Sequence, residues 1–172
     1  MAKPITIEEL NKLGRAAFVQ LIGPVFEHSP WIAESTWPQR PFNDVADLLG
    51  ALCATVCEAG NNQKLTLIRA HPDLAGRAAL AGQLTRESTQ EQASAGLNQL
   101  TPEEFHVFQQ RNTAYRAKFG FPFVICARLN DKAKILAELS RRLENSPPDE
   151  FLTALCEIFD IAELRLRNLI LT

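Results

Sequence analysis

Apolar residues recur every three or four positions along this chain, and runs that alternate at every second residue are almost absent. That periodicity predicts stacked amphipathic helices and an all-α fold. Capping chemistry marks the expected ends. Thr6-Ile7-Glu8-Glu9 reads as a capping box, predicting a helix from Ile7 to near Leu13 that pauses at Gly14, resumes through Phe18 to Ile22 and breaks at Gly23-Pro24. Ser29 is expected to cap a short helix opened by Pro30, with Trp37-Pro38-Gln39-Arg40-Pro41-Phe42 as an extended connector behind it. Asn43 or Asp44 caps a longer helix through Val56 that stops before Gly60, and Lys64 to Ala70 forms the next. Proline cannot continue a helical ladder and pushes its predecessor out of the helical region, so Pro72 places His71 at a break.

Asp73 to Thr85 reads as irregular or weakly helical. Ser88-Thr89-Gln90-Glu91 has the pattern of a second capping box, which would set Glu91 and Gln92 in the first turn of a helix to about Leu97. Thr101-Pro102-Glu103-Glu104 starts a helix that ends at Gly120, Asn130 or Asp131 caps one to Leu143, and Ser146-Pro147-Pro148 opens the last. One stretch departs from this rhythm. Phe121 to Ala127 is apolar with a proline inside it and no second strand to pair with, so extended backbone threaded through the core is expected. Its N–H and C=O groups then need partners.

At 172 residues, with 46% hydrophobic and 22% charged side chains, the chain is expected to form one compact domain over residues 1–172. A net charge of -2 gives no basic field for nucleic acid. No apolar run reaches the roughly 20 residues of a membrane helix, and Met1 to Thr6 lacks the apolar core of a secretory signal. A cytoplasmic location is the expectation. Cys53 and Cys57 fall among Leu49, Leu52 and Val56 and read, with Cys126 and Cys156, as reduced structural thiols.

Four polar features stand out from the helical background: His71 at its break, Ser88 with Glu91 and Gln92 at a helix start, and Arg165 near the apolar side of the last helix. An imidazole, a carboxylate, an amide and a guanidinium together can read a small polar anion and move its proton. Each also has a plain structural role: His71 as a helix-end cation, Glu91 as half of a cap, Gln92 as a surface amide, and Arg165 as one end of an exposed ion pair. A metal hydrolase built on His28, His71 and His106 would need ligand spacing that the chain does not show.

The segments Phe26-Glu27-His28-Ser29-Pro30-Trp31, Arg40-Pro41-Phe42, Ala70-His71-Pro72-Asp73-Leu74, Glu87-Ser88-Thr89-Gln90-Glu91-Gln92, Ala95-Gly96-Leu97, Phe119-Gly120-Phe121-Pro122-Phe123 and Ile161-Ala162-Glu163-Leu164-Arg165-Leu166 span nearly the whole chain. In that order they closely resemble the 2-oxo-4-hydroxy-4-carboxy-5-ureidoimidazoline decarboxylases of the route from urate to (S)-allantoin. The resemblance implies an all-helical carboxy-lyase with no cofactor and no metal, usually a homodimer, acting on a small ureidoimidazoline. By position, His71 matches the family's catalytic histidine and Glu91 its essential carboxylate. Pro72, Ser88, Gln92 and Arg165 match substrate-binding residues, as do Phe123, Val124 and Ile125 through their backbone. Phe26 to Trp31 matches scaffold. No transthyretin-like hydrolase domain is fused to these segments, so the preceding step is expected from another protein. The other class left open is a helical interaction module that keeps the fold and has lost the chemistry.

Overall fold

The computed structural model describes residues 4–76, 79 and 81–171. Its order is β1 (Ile5–Thr6), α1 (Ile7–Asn11), α2 (Arg15–Ile22), α3 (Trp31–Thr36), α4 (Val45–Glu58), α5 (Asn61–Ala70), α6 (Arg86–Ser94), α7 (Pro102–Phe119), α8 (Lys132–Arg142), α9 (Pro147–Leu169) and β2 (Ile170–Leu171). The all-α expectation holds. The weakly helical reading of 73–85 falls partly on residues 77, 78 and 80, which lie outside the described residues.

The chain divides into two compact units. The first joins residues 1–70 to 159–172. Its core is built from Leu10, Phe18, Ile22, Phe26, Ile32, Leu48, Leu52, Val56, Leu67, Ala162 and Leu166. Thr6 caps α1 with the complete capping box, and the cap's own extended backbone continues into β1. β1 pairs in parallel with β2, in the register Ile5 to Ile170 and Thr6 to Leu171. The sequence pattern did not anticipate this pairing, because two residues are too few to alternate. Arg40 finishes the end of α1: Nη1 donates to Asn11 O at 2.9 Å and Leu13 O at 2.8 Å, and the guanidinium lies 4.1 Å above the Trp37 ring. Asn11 O is one of the acceptors that every helix end leaves without intrahelical partners, and Leu13 O lies just beyond the cap.

Several boundaries differ from expectation. Pro30, not Ser29, occupies the N-cap of α3 and makes no side-chain cap. Trp37–Gln39 winds into one 3-10 turn where an extended connector was predicted. α5 begins at Asn61, three residues before Lys64. Cys57 is exposed, against its expected place in a core stripe, since α4 turns Leu48, Leu52, Thr55 and Val56 inward; Cys156 on α9 is exposed too.

The second unit runs from His71 to Ile158. α7 starts at the Thr101 capping box and stops at Gly120, whose φ of 76° suits a residue without a Cβ. Residues 122–126 form neither helix nor strand, Ala127 already opens a 3-10 turn, and every residue from Phe121 to Ala127 is buried, as predicted. Tyr115 meets the Phe121 and Phe123 rings edge-on, with centroids 6.0 and 5.3 Å apart. Asp131 caps α8, which turns Ile135, Leu139 and Arg142 inward.

Candidate active site

α5 ends at Ala70, and Pro72 allows it no further turn. His71 therefore stands at the break, 6% exposed, and Pro72 behind it is half-buried. The next four residues form a tight turn closed by Gly76 N–H donating to Asp73 O at 3.2 Å. Ala75, its third residue, has a φ of 52°, a region that residues with a Cβ rarely occupy. A Cβ on Gly76 would come within 2.8 Å of Asp73 Cβ and 2.9 Å of Asp73 O, so only glycine fits the fourth place.

Side chains from α6 and α7 hold this turn. Arg116 Nε donates to both carboxylate oxygens of Asp73, at 2.9 and 3.0 Å. Gln109 Nε2 donates to Ala75 O at 2.8 Å, and Asn112 Nδ2 to Leu74 O at 2.9 Å. Gln92 Oε1 accepts from Ala75 N–H at 3.0 Å. With its oxygen so committed, Gln92 presents its Nε2, which is buried and makes no hydrogen bond to the described residues. A buried donor in that state costs free energy unless something else accepts from it.

α6 corrects the sequence reading. Its N-cap is Thr85, whose Oγ1 accepts from Ser88 N–H at 3.2 Å, so Ser88 sits three residues inside the helix. Ser88-Thr89-Gln90-Glu91 is not a capping box, and Glu91 belongs to the second turn. The shift is chemically useful. Ser88, Glu91 and Gln92 share one face at the spacing i, i+3, i+4, with Ser88 and Gln92 buried and Glu91 half-buried.

The backbone of Phe121 to Ala127 finds protein partners. Arg142 Nη1 donates to Val124 O at 2.9 Å, and its guanidinium lies 4.5 Å from the Phe123 ring centre. Cys126 N–H donates to Glu157 Oε2 at 2.8 Å. Arg142 is fully buried and its Nε donates to the equally buried Glu150 at 2.8 Å. Tyr115 also donates to Glu150, and Asn145 Nδ2 donates to its other oxygen at 2.7 Å. Burial first, and then the Glu150 contact, push the Tyr115 phenol above its ordinary range. Phe123, Val124 and Ile125 are thus fixed in place, with the Val124 carbonyl already taken by the protein.

In the first unit, Arg165 is 5% exposed and is not the surface ion pair that its neighbours suggested. Its Nη1 donates to Glu27 Oε2 at 3.0 Å, Pro24 O at 3.2 Å and Val25 O at 3.4 Å. Sequence reasoning set Glu27 aside as scaffold, and it missed Asn112 and Arg142 altogether. Both of these had a visible signal, a polar residue on an apolar face: Asn112 between Phe108 and Tyr115, and Arg142 after Ile135 and Leu139. His28 and His106 are exposed, and among the described residues no group of three or more His, Cys, Asp or Glu is arranged to hold a metal ion.

The OHCU decarboxylase family profile matches residues 11–167. A 2-oxo-4-hydroxy-4-carboxy-5-ureidoimidazoline decarboxylase of Halalkalicoccus jeotgali is 42% identical over 165 residues, covering 96% of this chain and 92% of the relative. The mouse protein of the same name, from Mus musculus, is 41% identical over 162 residues, covering 94% and 91%. Among solved structures, an OHCU decarboxylase crystallised in the presence of (S)-allantoin has a TM-score of 0.66 at 25% identity, over 81% of this chain and 89% of that one. An (S)-allantoin synthase has a TM-score of 0.78 at 30% identity over 98% of this chain, which spans 55% of that longer protein. The chain belongs to the OHCU decarboxylase family.

Proposed function

We propose that this protein is a carboxy-lyase that converts 2-oxo-4-hydroxy-4-carboxy-5-ureidoimidazoline to (S)-allantoin and CO2 in urate degradation. The substrate supplies its own electron sink. Its carboxylate and hydroxyl share one ring carbon, next to the ring C=N carbon that bears the ureido group. When the bond to the carboxylate breaks, its electron pair forms a double bond to the ureido-bearing carbon, and the C=N pair moves to nitrogen, which takes a proton. The hydroxyl then gives up its proton, the oxygen becomes a carbonyl, and the ureido-bearing carbon gains a proton on one face.

In this reading His71 carries the proton between the hydroxyl and the ring carbon, since an imidazole can both accept and donate one. Glu91 orients the imidazole or accepts from ring and ureido N–H groups. Gln92 Nε2 donates to a substrate oxygen or ring nitrogen, and Ser88 on the same face adds a hydroxyl. Pro72 lines the site beside His71. Arg165 grips a substrate oxygen by charge-assisted hydrogen bonds. Phe123 and Ile125 contact the ring through backbone groups, and Val124 supplies the fixed backbone between them. No step calls for a cofactor or a metal. The reading treats both units as parts of one domain, which the family match across residues 11–167 supports. It includes a homodimer in the cytoplasm; among the described residues no helix is long and apolar enough to cross a membrane.

The observation that carries the proposal is the Gln92 amide, held on the turn that follows His71, with a buried Nε2 that makes no hydrogen bond to the described residues. Freshly generated substrate tests it, since uncatalysed protonation gives both enantiomers. The protein should accelerate CO2 release and yield the optical rotation of the (S) product alone. A racemic product at the spontaneous rate would favour the silent helical module instead.

A further inference from the structure

A single peptide group in the turn after His71 carries a side-chain amide at each end. Asn112 Nδ2 donates to its carbonyl, Leu74 O, at 2.9 Å, and its N–H, on Ala75, donates to Gln92 Oε1 at 3.0 Å. A backbone carbonyl only accepts and a backbone N–H only donates, so neither side chain can turn over without losing its bond. Three amides therefore lie head to tail: the Asn112 side chain, the Leu74–Ala75 peptide and the Gln92 side chain. Both ends of the row, Asn112 Oδ1 and Gln92 Nε2, are buried and make no hydrogen bond to the described residues. Asn112 is 5% exposed and Gln92 6%.

This peptide also holds a conformation that its own residues disfavour. It is the central peptide of the turn closed by Gly76 N–H and Asp73 O, and the positive φ of Ala75 gives the turn type II character. Type II favours glycine at that third place, and alanine there prefers the turn in which the central peptide is rotated by about 180°. The rotated peptide would offer its carbonyl to Gln92 and its N–H to Asn112. Gln92 would then have to present an oxygen to the ligand in place of an N–H. Asn112, by holding Leu74 O, opposes that rotation. Hydrogen-bonded amides aligned in one sense also polarise one another, which strengthens the donor at the Gln92 end.

We propose that Asn112 is a positioning residue for substrate recognition. Acting through the Leu74–Ala75 peptide, it fixes which end of the Gln92 amide meets the ligand, so that the site demands a carbonyl or ring-nitrogen acceptor at that point. The inference rests on the ureidoimidazoline reading above, which supplies such acceptors. Gln109 and Arg116 brace the same turn at Ala75 O and Asp73 without belonging to the row, and so serve as controls.

The test is a double-mutant cycle on KM with Gln92→Ala, Asn112→Ala and the pair, beside Gln109→Ala. Asn112→Ala should raise KM about tenfold in the wild-type background and add nothing further in the Gln92→Ala background. Gln109→Ala should leave KM nearly unchanged. Additive effects of Asn112→Ala and Gln92→Ala on KM overturn the inference while leaving the decarboxylase reading intact. A wild-type protein that does not turn over the ureidoimidazoline overturns the reading itself. Side-chain amide NMR of the wild-type protein gives the same answer where Asn112→Ala does not fold. On addition of (S)-allantoin the NH2 signals of Gln92 and Asn112 should shift together while that of Gln109 stays; a Gln92 shift with Asn112 unmoved contradicts the proposal.

Discussion

Arg165 and Glu27, 138 residues apart in sequence, form a buried ion pair in which Nη1 donates to Oε2 at 3.0 Å. Their side chains are 5% and 2% exposed, so neither charge has bulk water to fall back on. Removing one partner of such a pair leaves the other as an uncompensated buried charge, at a cost of about 3–5 kcal/mol. Glu27→Ala should therefore lower the unfolding free energy by that amount and depress kcat/KM by misplacing the guanidinium. Glu27→Gln, which keeps an acceptor at the same point, should recover part of both. Denaturant unfolding and steady-state kinetics measure the two effects; an unchanged midpoint in Glu27→Ala would show that the pair contributes nothing.

The cap of α6 separates two roles that the sequence pattern merged. Thr85→Ala removes the side chain that accepts from Ser88 N–H and should cost about 1 kcal/mol. Ser88→Ala keeps that cap and should act on substrate affinity. If Ser88 were the capping residue, the order would invert, with Ser88→Ala the destabilising change and Thr85→Ala neutral. Thermal melts of the two variants decide it.

What the sequence made legible follows from how local each determinant is. The Thr6 and Thr101 boxes, the Asp44 and Asp131 caps, Gly120 and the His71-Pro72 break all act within a few residues, and all lie where the pattern put them. Ser88 misled because Thr85-Arg86-Glu87-Ser88 and Ser88-Thr89-Gln90-Glu91 are both plausible starts. Packing chose the earlier one, which turns Ser88 and Gln92 inward and leaves Arg86, Thr89, Gln90 and Ala93 exposed. Spacing could not reveal the partners of the buried polar groups. Glu27 meets Arg165 from the other end of the chain, and Asn112 meets Leu74 across 38 positions. The polar residues singled out by the sequence are local features of single segments, whereas the partners that hold them come from distant ones.

Arg142 holds the buried 121–127 segment as well as balancing charge. Its replacement by methionine strips the buried Glu150 of its cation and Val124 O of its donor. Arg142→Met should destabilise by about 3–5 kcal/mol, and Arg142→Met combined with Glu150→Leu should be milder, because the fully buried Glu150 charge is then removed together with its cation. Urea unfolding compares them. A single variant as stable as the wild type would mean that Arg142 is dispensable to the core.

Tyr115 is the only tyrosine in the chain, so its titration reads without overlap. Burial and the hydrogen bond to Glu150 raise the phenol above the ordinary value of 10.0. Below pH 10 the folded and unfolded chains both keep the proton, and stability is unaffected. Above it the unfolded chain gives up a proton that the folded chain retains, so stability falls as pH rises. Tyrosinate absorbance should grow only as the helical circular dichroism is lost. Its appearance near pH 10 with the helices intact would contradict the buried Tyr115–Glu150 contact.

The most direct measurement of the central claim compares wild-type protein with His71→Ala on freshly generated ureidoimidazoline, following optical rotation and CO2 release together. The account predicts a fold and melting temperature close to wild type, a rate lower by about 10²–10⁴-fold, and allantoin that approaches a racemate. (S)-allantoin formed by His71→Ala at the undiminished rate would contradict it.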